Sequence, residues 1–468
     1  MKTLQNLVLV CAVLLPTASC APPQQYHPVP LSPALTAQHL EERSLSDGGL
    51  EQFIRQNPAL SAAAWPPAKW DLQLLTLAAF YFSPDLEAAR AQVVTAQAAI
   101  VTAGMKPNPT LSVSPGIPSP YLFDLSFAIP VVTAGKRRYQ IQAARNLSEA
   151  ARLNLAQTVW TVRSRVRVAL LDVLVAERSV DLWRVAEGLQ SDRVRRLEKR
   201  LDAGETARPA VESARADLFN ARLAARAALG RIGETRAALA AAIGIPEAAL
   251  ENVQFDWHDF SQPPAPGSFP AAEVRRDAVL NRLDVRQALA EYGVAESALQ
   301  LEIARQKPGF SLGPGYTYEQ GDNFFSPVLS VTLPIFNRNQ GPIAEAEARR
   351  KQAADHLVAT EARVIADTGQ ALAQYRSAYA QFDEAQQVLA NLRQLQEPMS
   401  REQVAAGEAD WLSLNAVLLQ GSAATGVWIK ALFQTQSALG VLEAAMQKPL
   451  QPEDDVPPVL PAAAGGKP

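Results

Sequence analysis

Three stretches of this chain alternate between apolar and polar side chains, which is the pattern of two-faced β-strands. In residues 121–129 the odd positions are apolar and the even positions are mostly polar or small, and residues 310–318 and 329–333 alternate in the same way. Two-faced strands of about ten residues are typical of outer-membrane barrels. A half-buried sheet in a soluble protein is the alternative. On the barrel interpretation, we expect Phe127 and Val331 to face lipid.

The residues from Gly135 to Gly204 include no proline and change to a helical period. Apolar residues recur there at spacings of four and three, which is a heptad seam, and a second seam runs on the opposite side of the same helix. A helix with two seams can have a neighbour on each side, and such helices repeated around a ring form a tube. At 1.5 Å per residue, residues 136–203 would reach about 100 Å. A similar helix is predicted over residues 342–406, interrupted near Pro398.

The two halves of the chain resemble each other in four blocks that occur in the same order. Residues 83–100 align with residues 282–299, and LSFAIPVV at Leu125 aligns with LSVTLPIF at Leu329. We therefore predict a mainly α fold of two tandem helix–strand–strand–helix repeats. The expected domains are a signal peptide (1–19), an N-terminal extension (20–70), a first repeat (71–250), a proline-rich linker (251–271), a second repeat (272–447) and a disordered tail (448–468).

The N-terminus has the features of an export signal. Lys2 precedes an apolar run from Leu7 to Leu15, and the small-residue stretch TASC ends at Cys20. This stretch resembles a bacterial lipobox, although Thr17 stands where that motif usually has an aliphatic residue. The resemblance implies acylation of Cys20 and sorting to the outer membrane. An ordinary signal peptide with an incidental cysteine is the alternative.

Composition excludes several classes of function. The net charge of the 468 residues is only -3, and no basic stripe with interleaved aromatic residues indicates nucleic-acid binding. Two cysteines and four histidines are too few for a disulfide scaffold or a dedicated zinc cluster. The histidines lie far apart and provide no base for a nucleophile. We therefore expect no enzyme and no catalytic, cofactor-binding or metal-ligating residues.

Four strands cannot close a barrel by themselves. An open sheet edge is not tolerated in lipid, and single-chain barrels begin at about eight strands. The chain must therefore take strands from identical chains. Two chains would give eight strands and three would give twelve, and a hollow tube of tall helices favours the wider barrel.

The chain resembles the TolC-like outer-membrane efflux protein family. The resemblance is carried by the segments YFSPDLEAARAQ at Tyr81 and LPIFNRNQG at Leu333, together with the duplication and the lipobox. These two segments resemble the heavy-metal, CzcC-like branch of the family more than its drug-efflux branch. The resemblance covers residues 70–446 and implies a homotrimer, with a twelve-stranded barrel in outer-membrane lipid above a long α-helical barrel. The implied function is a passive outer-membrane channel of a tripartite efflux system, which conducts metal cations from the pump and adaptor to the outside. The implied partners are a periplasmic adaptor (membrane fusion) protein and an inner-membrane resistance-nodulation-division pump. A periplasmic adaptor or a structural coiled-coil lipoprotein is the alternative.

Two turns between long helices are the expected periplasmic tip and adaptor contact. Gly204 and Gly407 suit helix ends because glycine adopts the left-handed conformation without a Cβ clash. Glu205, Glu408 and Asp410 follow them. Capping of the returning helices is one interpretation of these carboxylates. An acidic ring at the entrance of the tunnel, which would attract cations, is the other.

Overall fold

A computed structural model describes residues 26–56, 64–116 and 122–450. The predicted signal peptide (1–19), the lipidation site Cys20 and residues 451–468 of the expected tail lie outside these residues. Contacts divide the chain into two units, residues 1–42 and residues 43–468. The described part of the first unit contains one helix, α1 (Pro33–Glu41), which has Pro33 in its first turn and buries none of its residues.

The second unit is mostly helical and contains four strands. Its elements in chain order are α2 (Gly48–Arg55), α3 (Leu72–Phe82), α4 (Pro84–Ala103), β1 (Thr110–Pro115), β2 (Leu122–Val131), α5 (Lys136–Asp202), α6 (Arg208–Ile243), α7 (His258–Ser261), α8 (Ala271–Asn281), α9 (Leu283–Arg305), β3 (Phe310–Glu319), β4 (Asp322–Val331), α10 (Gln340–Asn391), α11 (Glu397–Ala405) and α12 (Trp411–Met446). The order helix, strand, strand, long helix therefore occurs twice.

Helix α5 matches the predicted helix to within one residue at its end. It begins after Gly135, whose φ of 72° is in the left-handed region. The first heptad seam is almost entirely buried, whereas the second seam is uneven. Leu171 in the second seam is buried, but Val168 and Val185 are exposed. One chain therefore covers one side of α5 and leaves part of the other side open.

The second long helix is interrupted where the sequence predicts it. Helix α10 ends at Asn391, a π-helical turn spans Leu392–Gln396, and α11 begins with Pro398 in its first turn. Proline has no backbone N–H to donate, and its ring crowds the preceding turn. The backbone hydrogen-bond pattern of the helix must therefore change near it. The expected interruption near Pro398 is confirmed.

The long helices pack side by side in one row. Helix α6 packs on α5, α5 on α12, and α12 on α10. Helix α12 is the one helix of the described residues that is long and apolar enough to cross a membrane by length and composition alone. Core helices satisfy the same criterion, and α12 forms a buried ion pair with α5, so its apolar character fits a place between two other helices.

A buried charged cluster joins α5, α12 and the proline-rich segment. Glu443 lies 3.2 Å from the guanidinium of Arg163 and 3.4 Å from that of Arg167. Arg167 donates to the backbone oxygen of Gln436 at 2.7 Å, and Gln436 donates to the backbone oxygen of Phe260 at 3.1 Å. The segment expected to be a linker is therefore packed against the helices.

Candidate functional site

The four strands form one antiparallel sheet in the order β1-β2-β3-β4. Strands β2 and β3 pair directly, so the sheet joins the two halves of the chain. Pairing of β2 with β3 is interrupted at Gly313 and Pro314. Proline lacks the N–H that the ladder needs, and a Cβ at Gly313 would collide with the backbone carbonyl of Phe127. Glycine at position 313 therefore permits the close approach of the two strands.

The register divides the sheet into one apolar and one largely polar face. Because residues opposite each other in a ladder share a face, the pairs Leu111↔Phe127 and Phe310↔Val331 lie on the apolar face. Phe127 and Val331, the two residues predicted to face lipid, therefore share a face. Much of that face is open: Leu111 is 62% exposed, Leu329 is 64% exposed and Phe325 is 83% exposed.

The opposite face carries mainly small and polar side chains, although Leu122, Phe324 and Val328 also lie on it. Ser126 and Ser330 both lie on it, as the alternation predicts, together with Ser112, Ser311 and Thr317. The hydroxyl of Thr317 donates to the carboxylate of Asp124 at 3.2 Å. Soluble sheets usually bury the apolar face, but here the apolar face is largely uncovered. This arrangement suits lipid outside and water inside.

Strands β1 and β4 are the two edges of the sheet, and each pairs on one side only. An exposed apolar face next to open edges is unstable in water and promotes association with other chains. In lipid, the unpaired N–H and C=O groups would need partners from another chain.

The two expected tip turns have the same backbone geometry. Gly204 and Gly407 have φ values of 74° and 75°. The N–H of Glu205 bonds to the carbonyl of Arg200 at 2.8 Å, and the N–H of Glu408 bonds to the carbonyl of Gln403 at 2.9 Å. These bonds, with the positive φ, define Schellman motifs, which end a helix by satisfying its last carbonyls.

The three carboxylates of these turns differ in their contacts. Asp410 is the N-cap of α12 and accepts from the N–H of Ser413 at 2.9 Å. This bond holds the pKa of Asp410 below its ordinary value, and its bond with Arg200 acts in the same direction. Glu205 and Glu408 are exposed and form no ion pair with a described residue. The geometry therefore assigns capping to Asp410 and leaves the two glutamates free to face solvent.

Two contacts that bring the turns together are missing from the sequence-based prediction. Arg200 at the end of α5 pairs with Asp410 at 3.0 Å. One turn earlier, the guanidinium of Arg196 lies 4.1 Å from the ring centre of Trp411. The aromatic residue after Asp410 could have indicated this contact from the sequence. Its partner, however, is about 200 residues away in the chain, and no local period indicates that partner.

Comparison with known proteins finds a family match over part of the chain. Residues 79–245 match the model of the outer membrane efflux protein family. Among curated relatives, the cobalt-zinc-cadmium resistance protein CzcC of Cupriavidus metallidurans is 26% identical over 279 residues. That match covers 59% of this chain and 65% of the relative, so the chain spans slightly less than two thirds of CzcC's length.

Solved structures show the same fold. The chain superposes on CusC with a TM-score of 0.64 and 19% identity, over 82% of this chain and 94% of CusC. It superposes on the outer membrane protein VceC of Vibrio cholerae with a TM-score of 0.64 and 18% identity, over 81% of this chain and 97% of VceC. The mostly helical fold with a few strands therefore matches that of TolC-like channels.

The two faces of the sheet predict opposite effects of a charge. Phe127→Arg or Val331→Arg should destabilise the membrane-inserted protein by up to about 2–4 kcal/mol, because a guanidinium on the lipid side is poorly solvated near the midplane. Ser126→Arg and Ser330→Arg are the matched controls and should be tolerated. The measurement is the yield and thermal stability of protein extracted from the outer membrane. The reverse pattern would show that the faces are inverted or that the strands do not lie in lipid.

Proposed function

We propose that this efflux protein is a passive outer-membrane channel built from three copies of the chain. The sheet with an uncovered apolar face, a polar face and two open edges carries the proposal. Three copies give twelve strands, and closure pairs every edge while placing the apolar face in lipid. The paired long helices continue the channel as an α-helical barrel in the periplasm. In this assembly, residues 71–250 and 272–447 serve as two equivalent repeats.

The proposed cargo is metal cations, delivered by an inner-membrane resistance-nodulation-division pump through a periplasmic adaptor. The similarity to a protein named for cobalt, zinc and cadmium resistance supports this cargo. The channel needs no catalytic residue, since the pump supplies the energy. Among the described residues, no group of three or more His, Cys, Asp or Glu side chains could hold a metal ion.

The adaptor would dock at the tip formed by the turns at Gly204 and Gly407. Both turns are exposed, and the Arg200–Asp410 pair holds them next to each other. Three copies would bring six exposed glutamates, from Glu205 and Glu408, to the entrance. Carboxylates gathered at one opening raise the local concentration of cations.

Neutralising the glutamates tests the entrance. Glu205→Gln combined with Glu408→Gln should lower the preference for cations over anions in planar-bilayer recordings and leave the melting temperature nearly unchanged. Asp410→Asn is the control: it should lower the melting temperature at neutral pH. Because the folded pKa of Asp410 is lowered, its stabilisation is present above its unfolded pKa and declines as the pH falls through the folded pKa. Unchanged selectivity in the double glutamate variant would refute the entrance role.

Native mass spectrometry and gel migration of the outer-membrane fraction test the channel itself. Extracted protein should contain three copies and migrate differently before and after heating, as a closed barrel does. Expressed with its pump and adaptor, it should lower the cobalt, zinc or cadmium content of cells that lack such a channel. A monomer in the soluble periplasm would contradict the proposal and favour an adaptor or a coiled-coil lipoprotein. Cys20→Ser should leave some trimer in the outer membrane, since lipid would only reinforce the barrel as anchor.

A further inference from the structure

Basic side chains lie at all four places where a strand meets a helix. These places are at one level of the molecule, because Val131 at the end of β2 pairs with Phe310, and Phe310 pairs with Val331 at the end of β4. The basic residues there, which we call the basic belt, are Lys106 between α4 and β1, Lys136, Arg137 and Arg138 at the start of α5 after β2, Lys307 between α9 and β3, and Arg338 between β4 and α10.

The positive charge of the belt is not balanced within the chain. Among the described residues, no carboxylate forms an ion pair with any of the six belt side chains. Lys136 donates instead to the backbone oxygen of Lys307 at 2.8 Å, and the Nε of Arg137 donates to the backbone oxygen of Gly104 at 2.6 Å. These bonds tie neighbouring connections together. Arg305, just inside α9, differs from the belt because it pairs with Glu302.

Helix stability does not account for the cations of α5. Its first turn contains three cations and no acidic residue. The N-terminal end of a helix carries a partial positive charge, which favours carboxylates and repels cations. Helix α10, which follows Arg338, also has no acidic residue in its first turn. The belt cations therefore stand where the fold alone would disfavour them.

Exposed apolar side chains accompany the cations at each of the four places. Phe336, before α10, is 97% exposed, and Met105, before β1, is 65% exposed. Val132 after β2 and Ile303 near the end of α9 are exposed as well. Leu333 extends the alternate apolar positions of β4 beyond the end of the strand. Apolar and long basic side chains at one level are typical of the boundary between hydrocarbon and headgroups.

A cleft within the belt combines both kinds of side chain. It has a volume of about 650 Å³ and lies between the end of α4, the start of α5 and the end of α9. Met105, Val132, Lys136 and Arg137 are among the residues that line it. Arg137 holds Gly104 through its Nε alone. The two terminal nitrogens of its guanidinium therefore remain for a phosphate, which they can bind in a bidentate manner.

The other end of the sheet has the opposite charge. The four strands contain three acidic residues and no lysine or arginine. Two of the three, Glu319 and Asp322, flank the turn between β3 and β4, and the third is Asp124 in β2. An anionic surface would therefore attract the sheet at its helix end only. In the proposed channel, that end lies at the periplasmic leaflet of the outer membrane.

We propose that the basic belt binds anionic phospholipids of this leaflet. The belt cations hold the lipid phosphates, and the apolar side chains beside them contact the acyl chains. Each lysine or arginine near an anionic lipid surface strengthens binding by about fivefold. Bound lipid fixes the depth at which the sheet lies in the bilayer. This inference rests on the proposed function, which places the strands in lipid, and adds a lipid preference at one level.

Quenching of a tryptophan at the end of β4 tests the preference. Full-length protein with Val331→Trp is placed in phosphatidylcholine vesicles that contain a minor fraction of phosphatidylglycerol, and the acyl chains of one lipid at a time carry bromine. After subtraction of the signal of protein without the reporter, the tryptophan should report binding of phosphatidylglycerol about fivefold tighter than that of phosphatidylcholine.

Two matched triple variants locate the charges that matter. Lys106→Gln, Lys307→Gln and Arg338→Gln together should reduce the preference to less than about twofold, because each removes one belt cation. Arg184→Gln, Arg226→Gln and Arg363→Gln together remove the same charge from exposed positions on the long helices and should leave the preference unchanged. Inorganic phosphate added at constant ionic strength should also leave it unchanged.

The outcomes separate the lipid site from the channel itself. Equal binding of the two lipids by protein with an intact belt would overturn the lipid site, and so would an equal loss of preference in the two triple variants. Loss of the preference in inorganic phosphate would show a site for the free ion and overturn it as well. In each of these cases quenching would still place the strands in lipid. Quenching by neither lipid would contradict the proposed channel, and the lipid site would fail with it.

Discussion

The structure depends on one constraint, which is that a four-stranded sheet cannot satisfy its own edges. Strands β1 and β4 each leave one row of N–H and C=O groups unpaired, and the apolar face of the sheet is largely uncovered. In lipid both problems have a single solution, because closure with other copies pairs the edges while lipid covers the apolar face. In the proposed channel, the polar face lines a water-filled lumen, and the helices continue that lumen away from the membrane.

The helices, like the sheet, have surfaces that one copy of the chain leaves uncovered. Helix α5 buries one seam and leaves part of the second open, and α6 and α10 each end the row with an uncovered face. Within the chain, the row is fixed at two places: the buried cluster around Glu443 joins α5 to α12, and the Arg200–Asp410 pair joins their turns. These contacts hold α5 and α12 together within one copy, while α6 and α10 each keep an uncovered side.

The elements with strong periodicity could be predicted from the sequence. The heptad pattern gave α5 to within one residue, and strict alternation placed Phe127 and Val331 on one face, because both patterns record which side chains share a surface. Contacts between distant residues could not be predicted. Glu443, Phe260 and Trp411 meet partners more than ninety residues away in the chain, and no local period marks such pairs. For Asp410 the sequence allowed capping or an acidic ring, and the geometry shows the cap.

Quenching of tryptophan fluorescence by brominated lipid chains tests the central claim most directly. The seven native tryptophans lie outside the four strands, so their signal can be subtracted using the unmodified protein. In reconstituted protein, Phe127→Trp should be strongly quenched by brominated acyl chains, and Ser126→Trp, one residue along the same strand, should not. Equal quenching of the two variants, or quenching of Ser126→Trp alone, would contradict the placement of the apolar face in lipid.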